Sequence, residues 1–377
     1  MDINMNDLMD SCMKAVKKKM ENLNGLNIII VGKTGVGKST LINSVFREEL
    51  VKTGIGEPVT GHIQKITKPG FPLAIYDTRG FELGQDSQKE IRSEILEVIK
   101  KGSDSRDINQ TIHCIWYCVS VPSNRFEQQE TEWINNFVEE SRTHHIPIII
   151  ILTQAYEVKK ALEMKKAIES KNLNVIQVVP VLAQNYELND EYCKEAYGLD
   201  TLIEIMQGAL PEEIVDTLMN VQQANLKLKQ KRAQAAVVSG TLAAAAMGAA
   251  PIPFSDAALL VPTEMTMLAA ITAIFGFDIS KTILTTLISS IVGTGGTTFA
   301  GRALVSNLLK AIPGVGTIVG GAISGTTAAA LTTALGEAYI GIMTAMFKGE
   351  ITAKDLETTQ GKRKISELFK MELKKKR

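Results

Sequence analysis

Nine consecutive residues, Gly32-Lys33-Thr34-Gly35-Val36-Gly37-Lys38-Ser39-Thr40, combine the group types that hold a chain of phosphates. The glycines let backbone N–H groups curl toward an anion, Lys38 offers a cation to β- and γ-phosphate oxygens, and Ser39 offers a hydroxyl to Mg2+. Lys33, Thr34, Val36 and Thr40 complete the loop. The apolar run Leu26–Val31 stands directly before it and a helix-like run, Leu41 to Phe46, directly after, which is the strand–loop–helix setting such a motif needs and an ordinary glycine-rich turn does not.

A second group follows in Ile75-Tyr76-Asp77-Thr78-Arg79-Gly80. A carboxylate at a strand end can hold Mg2+ through water, and a glycine three residues on can turn its N–H to a γ-phosphate. Between the two motifs lies a polar, glycine-rich stretch, Gly54 to Gly61, expected to be a loop that orders only around a γ-phosphate. Thr60 is its candidate metal ligand, with Thr53 a second hydroxyl in the same loop. The expected metal ligands are thus Ser39, Thr60 and Asp77, and the groups expected to promote phosphate cleavage are Lys38, Thr60 and Gly80.

These residues need a scaffold of βαβ type. Short apolar runs predict strands over Leu26–Val31, His62–Thr67, Leu73–Asp77, Thr111–Val119, Ile146–Thr153 and Val175–Leu182. Amphipathic stretches between them predict helices over Lys38–Phe46, Ser87–Lys101, Glu127–Ser141 and Tyr156–Lys171. The expected class is α/β, a doubly wound and mostly parallel sheet, followed by an all-α hydrophobic domain. The segments expected are an amphipathic helix within 1–24, the P-loop domain over 25–210, a helical module over 211–348 and a basic tail over 349–377.

The run Gly32 to Phe46 resembles the GTPases of the translation-factor-related class, in particular septin-, GIMAP- and Era-like G domains. The resemblance implies GTP and GDP as ligands, Mg2+ as cofactor, GTP hydrolysis, and dimerisation across the nucleotide. It also places the base-reading segment at Thr153-Gln154-Ala155-Tyr156, where the family has Asn/Thr-Lys-x-Asp, and a second base loop at Leu182-Ala183-Gln184. Thr153, Gln154 and Ala183 are therefore the candidate base contacts. The missing aspartate would have accepted hydrogen bonds from guanine; Glu157 is the nearest carboxylate. Phe81 follows Gly80 where Ras-like proteins have a water-orienting glutamine, and Gly35 stands where potassium-activated relatives have asparagine. Slow turnover follows, with a catalytic group supplied by a second subunit, for which Arg79 or a residue near His62 is a candidate. The second half resembles hydrophobic helical modules that follow the G domain of some bacterial GTPases, through Pro251-Ile252-Pro253-Phe254-Ser255-Asp256.

Composition changes after Pro211. Uncharged stretches rich in Ala, Gly and Thr fill Ala233–Ser255, Thr282–Gly301 and Ala311–Gly336, with turns expected at Pro251–Pro253, Gly293–Gly296 and Pro313-Gly314. Their length reaches that of a bilayer core, and the small-residue pairs Gly316/Gly320 and Gly321/Gly325 suit close helix packing in a membrane or in a soluble alanine-rich bundle. Asp256, Glu264 and Asp278 are expected at turns or on a polar face, since carboxylates within a membrane are costly. Lys227, Lys229, Lys231 and Arg232 before this region, and Lys362, Arg363, Lys364 and Lys374 to Arg377 after it, put both flanks on the cytoplasmic side if the segment crosses.

Across 377 residues, 41 basic side chains balance 41 acidic ones, and aromatics make up 5%, so no global charge calls for nucleic acid. Cys12, Cys114, Cys118 and Cys193 show no metal-ligand spacing and are expected as reduced thiols; His113, Cys114 and Cys118 read as strand core. Met1 to Met20 lacks a secretory pattern, so a cytoplasmic location is expected, and its Leu8, Cys12, Val16 and Met20 spacing predicts an amphipathic helix that packs on its own chain. Three functional readings remain: a GTPase switch governing a membrane-associated helical module, a soluble nucleotide-gated effector, and an Era-like ribosome- or tRNA-associated GTPase.

Overall fold

Six consecutive apolar or amide side chains, Leu26–Val31, form strand β1 and are all buried, as expected of a central strand covered on both faces. In this computed structural model the described residues are 5–47, 50, 54–78, 85–140, 144–189, 192–247, 252–253, 261–277, 279–281, 284, 322–323, 325–352, 355, 358–361, 363 and 367. Thr53, Arg79, Gly80, Phe81, Asp256, Asp278, the turns at Gly293–Gly296 and Pro313-Gly314, the glycines at 316, 320 and 321, and Lys362, Lys364 and Lys374 to Arg377 lie outside them.

The chain divides into two compact units, Leu23–Asn225 and a second made of Met1–Asn22 with Leu226–Arg377. The first is the α/β unit. Its sheet adds β2 (Ile55–Pro58), β3 (Ile63–Lys68), β4 (Phe71–Thr78), β5 (Cys114–Ser120), β6 (Ile148–Thr153) and β7 (Gln177–Pro180), in the order β2-β3-β4-β1-β5-β6-β7. The strands from β4 through β1 to β7 are parallel, while β2 and β3 run antiparallel at one edge.

All six expected strands are present. Strand β2 is the exception, since its residues fall in the expected loop at Gly54–Gly61. It forms because pairing with β3, from Ile55 opposite Thr67 to Pro58 opposite Gln64, satisfies its backbone; all four of its residues are exposed, so it leaves no alternation to read.

Helices α2 (Lys38–Val45), α3 (Gln85–Asp104), α4 (Gln128–Glu140) and α5 (Val158–Glu169) flank the sheet at the expected places. Ile91, Ile95 and Ile99 of α3 and Trp133, Ile134 and Phe137 of α4 recur at helical spacing and enter one buried cluster with Tyr117 and Ile150. A hairpin of β8 (Tyr186–Asn189) and β9 (Tyr192–Lys194) and helix α6 (Leu199–Ala209) follow. The unit then runs past the composition break at Pro211 through α7 (Glu212–Val221), which packs on β1 and β4. Thr217 Oγ1 donates to Asn24 O at 2.6 Å, fixing α7 beside the start of β1.

The second unit is helical: α1 (Met5–Glu21, N-terminal), α8 (Leu226–Met247), α9 (Val261–Phe275) and α10 (Gly325–Phe347). Helix α1 packs on α9, with Met9, Cys12 and Val16 buried, so the N-terminal helix does pack on its own chain. Helix α8 packs on both α9 and α10. Two expectations are corrected here. Glu264 is neither at a turn nor on a polar face: it lies in α9, fully buried, and neither carboxylate oxygen meets a hydrogen-bond partner among the described residues. Lys229 is no solvated flanking charge. It is buried, and its Nζ donates to Ile274 O at 2.8 Å and Phe275 O at 3.1 Å, supplying donors to the last carbonyls of α9. Ile252–Pro253, expected as a turn, pairs antiparallel with Ala322–Ile323 as two-residue strands β10 and β11.

Candidate functional site

The glycine-rich loop leaves β1 and enters α2 within a few residues, and its glycines are required by geometry. At Gly32, with φ at +154°, a Cβ would stand 2.6 Å from Cys118 O, so only glycine lets the loop pass β5 this closely. Gly37 adopts φ +91° and begins α2 with no side chain capping it. The first N–H groups of α2 are therefore directed out of the helix start beside Lys38, an arrangement that favours an anion. Thr34, Gly35, Ser39 and Thr40 are exposed, Val36 is buried under the loop, and Lys33 pairs with Glu127 at 3.6 Å.

Lys38 folds over the loop, donating to Gly32 O at 2.8 Å and Lys33 O at 3.3 Å. Its ammonium is thus held inside the cradle it would serve. Asp77 lies beside Ile30 in the parallel β1–β4 register and is half-buried at the end of β4. Burial pushes the Cys118 thiol up to about 12, with Lys38 lowering it and Asp77 raising it, so the cation of the loop and the carboxylate of β4 both lie within electrostatic reach of this thiol. Thr78 Oγ1 donates to Ile30 O at 3.1 Å and fastens the end of β4 to β1.

The candidate base-reading segment meets this loop directly. Thr153, at the end of β6, donates through Oγ1 to Val36 O at 2.6 Å and also contacts Val119 O at 3.1 Å. Gln154, in a left-handed conformation with φ at +52°, donates through Nε2 to Gly35 O at 3.0 Å and accepts from Ser120 Oγ at 2.7 Å. Ala155 N donates to Val181 O at 3.2 Å, which ties the segment that follows β7, where half-buried Ala183 lies, to the end of β6. Tyr156 stands where the resemblance expects aspartate, its ring 4.2 Å from that of Tyr186. Glu157 pairs with Lys160 at 2.7 Å on the exposed start of α5.

Thr60 is engaged elsewhere. Its hydroxyl donates to Glu94 of α3 and accepts from Ile63 N at 3.1 Å, while His62 Nδ1 lies 3.0 Å from the same carboxylate. Ser120, Glu94 and Tyr186 were not legible as site residues. Ser120 carries the faint signal that it ends a strand as Asp77 does, whereas Glu94 is one acidic position among several on an amphipathic helix. His113, Cys114 and Cys118 are buried as expected; burial lowers His113 to about 4 and raises Cys114 to about 12.

Residues 27–154, from β1 to the base-reading segment, match the family model described as 50S ribosome-binding GTPase. GTP-binding protein A of Dictyostelium discoideum is 32% identical over 137 residues, 34% of this chain and 27% of that protein. Translocase of chloroplast 34 of Arabidopsis thaliana is 32% identical over 103 residues, 27% of this chain and 30% of its own length. Magnetosome membrane protein 22 of Magnetospirillum gryphiswaldense is 32% identical over 99 residues, 26% of this chain and 51% of that protein. The chain thus spans between about a quarter and a half of these relatives, and the stretch matched by the family model contains the phosphate cradle. Taken with the sheet order and the loop geometry, this identifies residues 27–154 as a P-loop GTPase G domain.

Proposed function

We propose that this protein is a Mg2+-dependent GTP-binding and GTP-hydrolysing switch whose nucleotide state governs the helical unit. The observation that carries the reading is the tie between β6 and the cradle: Thr153 and Gln154 bind the carbonyls of Val36 and Gly35, so the base-reading segment and the phosphate loop form one preorganised rim. GTP and GDP would lie along that rim, with phosphates against the N–H groups of residues 33–40 and the ammonium of Lys38, and the base toward Gln154 and Ala183. Ser39, Asp77 and Thr60 offer hydroxyl and carboxylate oxygens, a donor set suited to a hard cation, and Mg2+ bound there would neutralise β- and γ-phosphate charge.

The chain's own residues orient and exclude rather than transfer protons. Lys38 is placed to stabilise charge on the bridging region, and the Gly80 N–H is assigned to the γ-phosphate. Phe81 cannot orient water, so turnover by one subunit is expected to be slow, and a homodimer formed across the nucleotide would complete the site in trans. With Tyr156 in place of an aspartate, the groups that reject adenine are reduced, and guanine preference rests on backbone contacts near Ala183.

The helical unit supports a second level of this reading, association with a cytoplasmic membrane face. Ala328–Phe347 is 20 residues long with mean hydropathy 1.3, enough to cross a bilayer by length and composition, and about half of it is buried within the unit. Magnetosome membrane protein 22, a relative by its G domain, carries a membrane designation in its name. Sedimentation of the full chain with and without vesicles separates this from a soluble effector.

Calorimetric titration of the full chain with GTP, GDP and ATP in Mg2+ tests the central claim, with Lys38→Ala as control. Guanine nucleotides are expected to bind in preference to ATP, and Lys38→Ala to abolish binding. Equal affinity for ATP would remove guanine selectivity from the reading, and no binding of any nucleotide would overturn it.

A further inference from the structure

One side-chain cluster, between the start of β3 and α3, holds a single candidate site residue, Thr60. Thr60 Oγ1 donates to Glu94 Oε2 at 2.5 Å, His62 N donates to that same oxygen at 3.0 Å, and His62 Nδ1 stands 3.0 Å from Glu94 Oε1. The Glu94 carboxylate thus accepts from both Thr60 and His62, and a bond to a carboxylate is of the stronger, charge-assisted kind.

The position of the cluster gives this bond its meaning. Ile63 pairs with Thr78 and Gln64 with Asp77, so Thr60, bonded to Ile63 N, stands at the end of the sheet where β4 delivers Asp77. Glu94, however, belongs to the third turn of α3, about 13 Å along the axis from the helix start at Gln85. The Thr60 hydroxyl has one proton, given to Glu94, and one of its lone pairs already takes the Ile63 N–H. The loop is at the Asp77 end of the sheet, and its hydroxyl is fastened to α3.

We propose that Glu94 is a positioning residue that holds Thr60 away from the metal until the γ-phosphate and its Mg2+ compete for the hydroxyl, and that this contact sets the preference between GTP and GDP. The inference rests on Thr60 being the metal ligand of the γ-phosphate-bound state. The hydroxyl keeps a second lone pair, so what opposes the new ligand is the tether to α3: drawing Thr60 to the metal costs the Glu94 bond with GTP and not with GDP, and the contact counts against GTP alone.

The test measures affinities of the full chain for GDP and a non-hydrolysable GTP analogue in Mg2+, for wild type, Glu94→Ala, Glu94→Gln, Thr60→Ala and the Thr60→Ala/Glu94→Ala double variant. Glu94→Ala is expected to tighten the analogue about tenfold and leave GDP within about twofold. Glu94→Gln, which retains a neutral acceptor, should give a smaller gain and serves as the folded reference if the alanine variant melts early. On the Thr60→Ala background the gain should vanish. Weaker analogue binding in Glu94→Ala would show that the carboxylate supports Thr60 at the metal and would overturn the proposal, as would an equal change for both nucleotides. If Thr60→Ala itself leaves analogue affinity unchanged while GDP still binds, it is the assignment of Thr60 that fails; if neither nucleotide binds wild type, the switch reading fails.

Discussion

Replacing Glu264 by methionine should stabilise the helical unit, increasingly so as pH rises. The carboxyl is fully buried in α9 and meets no hydrogen-bond partner among the described residues, and burial raises it from 4.5 to about 8. At pH below 4.5 the group is protonated in both the folded and the unfolded chain and costs nothing electrostatically. Between 4.5 and about 8 the unfolded chain ionises while the folded one keeps its proton, so stability falls steadily and then levels off. The shift corresponds to roughly 5 kcal/mol once complete, most of it lost between pH 5 and 8.5. Methionine matches glutamate in length and has no charge to desolvate, so the variant should match the wild type within about 1 kcal/mol at pH 5 and exceed it by roughly 4 kcal/mol at pH 8.5. For a unit of this size that is a rise in Tm of about 10 °C at the higher pH, read by circular dichroism of the full chain across a pH series. A Tm difference that stays constant with pH would refute the reasoning, because it would mean that Glu264 ionises as freely in the folded unit as in the unfolded chain.

The α/β unit carries the opposite dependence at His113, which burial depresses from 6.5 to about 4: the unfolded chain takes up the proton first, so stability is full above pH 6.5 and declines as pH falls toward 4, by roughly 3 kcal/mol in denaturant titrations. His113→Gln should flatten that decline. Gly32→Ala should destabilise the α/β unit by roughly 2–4 kcal/mol and abolish nucleotide binding, since its Cβ would meet the backbone oxygen of Cys118; a normal melting curve in the variant would contradict the close approach. Gln154→Leu removes the bonds to Gly35 O and Ser120 Oγ and should weaken GTP and GDP alike by about tenfold in calorimetry, with no change in their ratio.

The order of elements around the cradle was legible because its signals are local. Leu26–Val31 can only be a covered strand, Gly32 to Thr40 has few other uses, and the isoleucines of α3 and the aromatics of α4 recur at helical period. What the chain does with an exposed edge, or with a lone charge in an apolar stretch, is decided by residues far away in sequence. Strand β2 exists because β3 is beside it, and Lys229 is buried because the carbonyls of Ile274 and Phe275 end a helix next to it. Glu264 has the same composition-level signature as a turn residue, yet it is buried in α9, a helix on which α1, α8 and α10 pack.

The base-reading segment shows how a departure from a family pattern divides into two parts. Thr153-Gln154-Ala155-Tyr156 lacks the carboxylate that in the resembled family reads the guanine edge, while Thr153 and Gln154 remain candidate base contacts on sequence alone. In the structure its first two residues still keep the segment's other role, because Thr153 and Gln154 fasten the end of β6 to the phosphate loop through Val36 O and Gly35 O, and the left-handed turn at Gln154 aims that side chain. Under the proposed reading, affinity, which depends on a preorganised rim, and base selectivity, which depends on edge contacts, would rest on different residues. It follows that substitutions at Gln154 should move all nucleotides together, whereas placing a carboxylate at Tyr156 should change the ratio of guanine to adenine binding and leave the cradle and the Thr60 contact as they are.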